Sequence, residues 1–365
     1  MEIAGLSLKA EQSLRACLEE LPFIRAFKIE WLERNESCWY DFSAKLSLRS
    51  GEQKLLVVVK RVGEPRLARE AINALYRCRE FYPEAYGVLI APYISPQTAE
   101  LCKQEGVGYV DIVGNCRLSF GEVFIERGRH GNTAAEKRTL RSLYSPKAER
   151  VLRVLLTDPD RYWKTQPLAR EADVSLGQVS NVKSLLADKE WIEADSQGFR
   201  LKQPEEMLAE WANNYRYERS AGYDFYSLKR TGHGRSEIED ELAEACQEAG
   251  IPYALTFFSG AARYAPFVSY QRVHAYVAGD VKEIARQLNW KEASAGGNVR
   301  LLNPYDEGVF YAARDIDGVQ IVSPVQNYLD LHNYPGRGEE AAEFLLERFL
   351  KPAWESAEPI MQPRP

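Results

Sequence analysis

Residues 165–202 read TQPLAREADVSLGQVSNVKSLLADKEWIEADSQGFRLK, and this stretch decides the fold expected for the middle of the chain. Ser175 is a residue type favoured at helix N-caps, and Gln178 follows three positions later, so a capped helix is predicted to begin here. Val179 and Val182 continue at helical spacing and predict that one face of this helix is buried.

The segments on either side of this helix complete a recognisable order. A shorter helix is expected over residues 166–172, ending in a tight turn at Asp173. After the main helix, residues 191–193 and 199–201 alternate between apolar and polar side chains around Ser196-Gln197-Gly198, which predicts a β-hairpin. Helix, turn, helix and hairpin together predict a winged helix-turn-helix.

The exposed face of the main helix is predicted to carry small and amide side chains, which leave room for base edges and supply hydrogen bonds to them. From Lys137 to Lys202 the chain has 13 Lys and Arg against 9 Asp and Glu, within a protein of formal net charge −6. A basic module in an acidic protein indicates phosphate binding and hence double-stranded DNA as the partner. The candidate DNA-binding residues are Lys164, Thr165, Ser175, Gln178, Ser180, Asn181, Lys183 and Arg200.

Bulk composition excludes several classes of protein. The 365 residues suggest two or three domains. The chain has no apolar run long enough for a membrane span and no basic-then-apolar signal at its start, so a cytoplasmic protein is expected. Six widely spaced cysteines without a CxxC pair indicate reduced, buried thiols. The scattered cysteines and histidines give no metal-ligand spacing, and we expect neither a metal nor a cofactor.

The first 127 residues show a second pattern. Residues 54–60 form a nearly continuous apolar strand, and strands then alternate with helices, which predicts an α/β sheet domain. A strand carrying an aspartate, a hairpin, a strand ending in x-x-Lys and a helix resembles the PD-(D/E)xK nuclease core. In that resemblance Asp41 matches the metal-binding aspartate and Lys60 the catalytic lysine.

The same resemblance predicts a degenerate site rather than an enzyme. The position two before Lys60 is Val58, where the family has Glu or Asp. Metal-dependent cleavage of a phosphodiester needs converging carboxylates to hold Mg²⁺, and valine cannot supply one. Glu64 and Glu70 are alternative carboxylates for this role, although nothing in the sequence requires them to take it.

The expected fold class is α/β and α+β multidomain. A nuclease-like α/β domain is placed at residues 1–127, and a glycine-rich linker follows at residues 128–135. A central winged helix-turn-helix occupies residues 136–203, a C-terminal α+β domain residues 204–352, and a proline-rich tail residues 353–365. Within the third domain we expect a strand at residues 309–313 and a helix at residues 324–332.

The second half of the chain resembles the AbiEi family, the antitoxins of type IV toxin–antitoxin systems. The residues that carry the likeness are WKTQPLA (163–169), VSxGxVS (174–180), YALTxxSGAA (253–262) and SPVQNYLDLHNYPGRGEEAAE (323–343). The likeness spans residues 145–352. It implies a DNA-binding repressor that autoregulates an operon shared with a nucleotidyltransferase-type toxin, and such a toxin is then a partner. A homodimer is expected because two-fold symmetry doubles the contacts on an inverted repeat.

The sequence leaves two alternatives to a transcriptional regulator. One is a metal-dependent nuclease that the winged helix directs to its target. The other is an antitoxin that binds a protein partner and whose winged helix is structural only.

Overall fold

The computed structural model of the protein describes residues 3–19, 24, 26–31, 38–48, 51–128, 143–229, 237–264, 270–294 and 296–355. The chain divides into two compact units, Met1–Leu140 with Leu185–Glu190, and Arg141–Ser184 with Trp191–Pro365. The expected linker after Gly128, the basic segment that begins at Lys137 and the tail beyond Glu355 lie outside the described residues. The division into three domains stays a prediction.

The first unit is built around a mixed sheet. Its strands are β1 (Ala26–Trp31), β2 (Phe42–Ser47), β3 (Glu52–Val59), β4 (Tyr86–Ala91), β5 (Gly108–Asp111), β6 (Cys116–Phe120) and β7 (Val123–Arg127), and its helices are α1 (Ile3–Glu19), α2 (Pro65–Cys78) and α3 (Pro96–Gln104). The strands lie side by side in chain order. Strands β3, β4 and β5 are parallel and the others pair antiparallel. Helices α2 and α3 are the crossovers that parallel strands require, so the predicted α/β alternation is confirmed.

Strand β3 is covered on both faces. Leu55 and Val57 belong to a core that includes Leu14 of α1, whereas Leu56 and Val58 belong to the core on the side of α2 and α3. None of the four β3 side chains is more than 2% exposed. The prediction of a central strand is therefore confirmed, and the side chain of Val58 is part of the hydrophobic core.

The cysteines depart from expectation at one pair. Cys38 and Cys78 are joined by a disulfide although 40 positions separate them. The prediction that all six thiols are reduced is wrong for this pair, because sequence spacing does not reveal that the chain before β2 passes the end of α2. The cysteines outside this disulfide are Cys17, Cys102, Cys116 and Cys246, all buried.

The helices and hairpin that the sequence predicted follow, and all of them belong to the second unit except the end of the third helix from Leu185 onward. They are α4 (Pro146–Thr157), α5 (Thr165–Glu171), α6 (Leu176–Asp188), β8 (Ile192–Ala194) and β9 (Phe199–Leu201). Strands β8 and β9 pair antiparallel. Pro146 stands at the start of α4, where its missing N–H needs no partner.

A second mixed sheet with surrounding helices forms the remainder of this unit. Its strands are β10 (Ala221–Tyr226), β11 (Tyr253–Leu255), β12 (Val273–Val277), β13 (Lys291–Glu292), β14 (Val299–Asn303), β15 (Arg314–Ile316) and β16 (Val319–Ile321). They lie in the order β13-β10-β14-β12-β11-β16-β15. The helices are α7 (Pro204–Asn214), α8 (Glu237–Glu248), α9 (Phe257–Tyr264), α10 (Val281–Gln287), α11 (Pro324–His332), α12 (Gly338–Leu345) and α13 (Lys351–Glu355).

One predicted helix here is confirmed and one predicted strand is wrong. Helix α11 has the predicted bounds because the Ser323 side chain accepts the backbone N–H of Gln326 at 3.2 Å and caps it. The strand expected at residues 309–313 is instead the end of a 3₁₀ helix, Glu307–Phe310, followed by a turn. The side chain of Asp306 accepts the backbone N–H of Gly308 at 2.8 Å and so starts this helix.

Candidate nucleic-acid interface

Helices α5 and α6 meet at a tight turn. Asp173 has a φ of 49°, a left-handed conformation that short polar side chains tolerate. The backbone N–H of Val174 donates to the carbonyl oxygen of Ala169 at 2.9 Å. Oγ of Ser175 then accepts the backbone N–H of Gln178 at 3.2 Å, which caps α6 as predicted. The cap fixes the direction in which the first side chains of α6 leave the helix.

Helix α6 has two chemically different faces. The fully buried face consists of Val179, Val182 and Leu186. On the other side Ser180 and Asn181 are exposed, and Gln178 is half-buried. The hydroxyl and amide groups predicted to read base edges therefore lie on the surface and not in the core.

The hairpin is attached to the segment that precedes α5. Phe199 and Trp163 exchange two backbone hydrogen bonds of 2.8 and 3.0 Å. Gly198 has a φ of 148°, and a Cβ at this position would lie 2.4 Å from the carbonyl oxygen of Trp163. Oδ1 of Asp195 accepts the backbone N–H of Gln197 at 2.7 Å. These contacts hold the hairpin beside the start of α5.

Two of the predicted phosphate-binding lysines have no carboxylate beside them. Lys164 is exposed at the N-cap of α5, and the half-buried Thr165 follows it. The ammonium group of Lys183 lies 4.8 Å from the centre of the Phe199 ring. Among the residues that the structure describes, neither lysine forms an ion pair, so both charges are available to a phosphate.

Arg200, unlike the two lysines, is already paired with carboxylates. Its guanidinium pairs with Glu193 on the neighbouring strand and with Asp160 at 2.9 Å. The hydrogen bond from Arg200 lowers the pKa of Glu193, so this carboxylate stays charged at neutral pH. A phosphate at Arg200 would have to compete with two carboxylates that are already in place.

A hollow of about 710 Å³ lies beside the start of α6. Its wall includes Lys147, Gln166, Arg170, Ser175, Leu176 and Gln178. Lys147 and Arg170 are exposed and, within the described part of the chain, form no ion pair. Sequence reasoning missed these two cations. The signal for Arg170 was available, because it stands in the last turn of α5 just before the turn that leads to Ser175.

Helix α4 is joined to the C-terminal sheet domain by buried polar groups. Arg153 is 1% exposed and donates to Oε1 of Gln326 at 2.6 and 3.0 Å and to the hydroxyl of Tyr305 at 3.1 Å. The fully buried Glu149 accepts from Arg219 at 2.6 Å and from the Tyr305 hydroxyl. Buried charges need partners of this kind, and they connect residues of α4 with residues 70 to 173 positions away.

Asp330 lies in the same cluster and is completely buried. Its carboxylate accepts from the hydroxyls of Tyr215 at 2.8 Å and Tyr276 at 2.9 Å, from the amide of Gln326 at 2.9 Å, and from Thr256. Burial raises the pKa of Asp330 to about 6, although these hydrogen bonds act in the opposite direction. We assign this carboxylate to the stability of the domain, because its contacts are all internal.

The positions that the sequence matched to a nuclease core, Asp41, Val58 and Lys60, all lie among the described residues of the first unit. Oδ2 of Asp41 accepts the backbone N–H of Val59 at 2.6 Å, and burial raises the pKa of this carboxyl. The ammonium of Lys60 lies 3.2 Å from Oε2 of Glu70, while Val58 lies in the core. The described residues contain no group of three or more His, Cys, Asp or Glu side chains placed to hold a metal ion.

Residues 200–351 match the family model described as a transcriptional regulator, the AbiEi antitoxin of type IV toxin–antitoxin systems. This part of the chain is similar to the AbiEi antitoxin domain. The predicted resemblance is thereby confirmed for the sheet domain that follows the hairpin. No helix in the described part of the chain is long and apolar enough to cross a membrane.

Solved structures similar to parts of the chain include a repair endonuclease from Pyrococcus abyssi, at 16% identity over 30% of this chain and 45% of that chain, with a TM-score of 0.22. EndoMS in a complex with double-stranded DNA is 20% identical over 28% of this chain and 44% of that chain, with a TM-score of 0.20. EndoMS in its apo form is 19% identical over 28% of this chain and 45% of that chain, with a TM-score of 0.21. The chain thus spans less than half the length of these structures. No curated protein matches the chain.

Proposed function

We propose that this protein is a sequence-specific transcriptional regulator that binds double-stranded DNA through α6. The observation that supports this most strongly is the exposed hydroxyl and amide face of α6 beside a hollow with the unpaired cations Lys147 and Arg170. A DNA duplex presents base edges in its groove and phosphates along the groove margins, and this surface has groups complementary to both.

Each candidate residue has a role in this proposal. Gln178 and Asn181 form hydrogen bonds to base edges, and Ser180 assists them. Phosphates are bound by Lys164, Thr165 and Lys183 from the predicted set, and by Lys147 and Arg170 from the structure. Ser175, also a predicted DNA-binding residue, caps the helix that carries the base-reading groups. Arg200 contributes less, since its charge is compensated by Glu193 and Asp160.

We propose further that the protein is an antitoxin-like repressor of its own operon and that it acts as a homodimer. The AbiEi-type domain supports the antitoxin assignment, with a nucleotidyltransferase-type toxin as the partner that this family implies. The mass of the complex with a DNA fragment from upstream of its own gene tests the dimer. Co-purification with a toxin encoded beside the gene tests the partner, and a monomer on DNA or the absence of such a toxin would contradict the respective statement.

The test of DNA reading is fluorescence anisotropy on that upstream fragment and on a scrambled duplex. We expect selective binding by the intact chain, and Asn181→Ala should weaken binding to the upstream fragment by about 1–3 kcal/mol because one base-edge contact is lost. Asn213→Ala is the matched control, since Asn213 is an exposed asparagine on α7. An equal loss on both duplexes in Asn181→Ala would contradict base reading.

We infer that the first unit does not cleave DNA by a metal-dependent mechanism. The support is chemical. Val58 stands in the core where the mechanism needs a carboxylate, and the alternative carboxylates Glu64 and Glu70 are paired with Lys189 and Lys60. Incubation of duplex DNA with the protein and Mg²⁺ or Mn²⁺ tests this inference.

A further inference from the structure

We propose that Leu176 recognises the methyl group of a thymine in the DNA site. The proposal rests on the proposed function and adds to it a residue that determines specificity. Leu176 is the first residue of α6, and its side chain is 53% exposed. It stands in the wall of the same hollow as the cations Lys147 and Arg170.

The chemistry of this wall fits one ligand class. In the major groove thymine presents a methyl group at C5, which is the apolar feature that distinguishes it from the other bases. Phosphates flank that groove on both sides. An apolar side chain beside cations and amide groups therefore matches a thymine-containing duplex. The cap between Ser175 and Gln178 fixes where Leu176 projects.

Gly177 supplies an independent observation. A Cβ built at this position would meet no atom closer than Oγ of Ser175 at 3.9 Å. Neither packing nor a left-handed backbone therefore requires glycine here, although glycine is the poorest helix former apart from proline. An open position next to Leu176 permits close approach of a ligand from outside. Together with the small side chain of Ser180, it favours a base-pair edge over the bulkier surface of an acidic protein.

The experiment begins with selection of duplexes from a library with a randomised central stretch, using the full chain. Each thymine of a selected duplex is then replaced by deoxyuridine, which lacks the methyl group, and dissociation constants are measured for the wild type and Leu176→Ala. We expect one or two thymines at which deoxyuridine weakens wild-type binding about four-fold, the effect of one buried methyl group. Leu176→Ala should bind the two duplexes equally.

Two further variants separate recognition from folding. Leu228→Ala is the matched control, because Leu228 is also an exposed leucine, 88% exposed, and it should discriminate like the wild type. Gly177→Ala should bind the selected duplex several-fold more weakly, because the added methyl group obstructs the ligand. Its melting temperature should not fall, because the methyl group disturbs no contact within the protein.

The outcomes distinguish the two proposals. If no duplex is selected, the proposed function and this inference both fail, and an acidic protein partner becomes the better occupant of the hollow. If duplexes are selected but the penalty of deoxyuridine is the same in the wild type and Leu176→Ala at every thymine, the inference alone is overturned.

Discussion

At the scale of single residues, two buried groups of the second unit have pKa values that burial shifts in opposite directions. Burial raises the pKa of Asp330 to about 6 and lowers the pKa of His274 to about 3. The folded state thus holds the Asp330 proton more tightly than the unfolded state, and the stability from this group falls as pH rises from about 4 to 6. His274 is protonated more readily when unfolded, so its contribution falls as pH drops from about 6.5 to 3.

The first prediction follows from this opposition. Asp330→Asn removes the carboxyl group whose contribution to stability falls as pH rises. The free energy of unfolding of the variant relative to the wild type should therefore rise by roughly 3 kcal/mol between pH 4 and 7, at about 1.4 kcal/mol per pKa unit. Urea unfolding at several pH values measures the difference. A constant difference across this range would show that Asp330 does not titrate there.

The second prediction compares two arginines of the candidate interface. Arg170 is free of carboxylates within the described residues, whereas Arg200 pairs with Glu193 and Asp160. Arg170→Ala should reduce the slope of log affinity against log salt by about one, because one phosphate contact is lost. Arg200→Ala should reduce it less. Titrations at four salt concentrations decide this, and equal slopes in the two variants would contradict the distinction.

At the scale of elements, the local signals were sufficient where a helix begins with a good cap. Helices α6 and α11 are capped by Ser175 and Ser323 as predicted, because capping depends on neighbours in sequence. The strand expected at residues 309–313 was wrong because a single side chain, Asp306, started a 3₁₀ helix instead. Strand β1 was not predicted, since a six-residue strand becomes stable only through its pairing with β2.

The electrostatics of the candidate site were less predictable. The sequence identified the residues on the exposed face of α6, and it identified Lys164 and Lys183 as cations. The charge of Arg200 is compensated because the register of the hairpin places Glu193 directly opposite it, and the sequence alone does not give this register. Lys147 and Arg170 line one hollow because of the way α4 packs against α5. Spacing along the chain does not specify this packing.

The third prediction concerns the hairpin. Gly198→Ala should lower the free energy of unfolding by more than Gly250→Ala, because the new Cβ would clash with the carbonyl oxygen of Trp163. Gly250 also has a positive φ, 63°, but has no atom within 4 Å of a Cβ, so the control measures backbone strain alone, about 1–2 kcal/mol. Thermal unfolding of both variants gives the comparison. Equal losses of stability in the two variants would mean that the hairpin moves to relieve the clash with Trp163 at no cost in free energy.

At the scale of the whole molecule, the α/β alternation of the first unit was predictable from the sequence, whereas its resemblance to a nuclease rests on few side chains. The fourth prediction is that duplex DNA stays intact with the protein and Mg²⁺ or Mn²⁺, since Val58 supplies no metal ligand. Asp41→Ala should leave DNA affinity unchanged. Cleavage that disappears in both Asp41→Ala and Lys60→Ala would overturn the inference.

The polar cluster beneath α4 has a consequence for how such a protein can evolve. Arg153 and Glu149 obtain their partners from Gln326, Tyr305 and Arg219, all of which lie in the part of the chain that matches the AbiEi family. A recombination event that joined α4 to an unrelated C-terminal domain would leave Arg153 and Glu149 buried with only each other, 3.8 Å apart, as charged partners, at a cost of about 3–5 kcal/mol. Helix α4 and the domain that supplies these partners should therefore be inherited as one piece, with Arg153 and Gln326 retained or lost together among relatives.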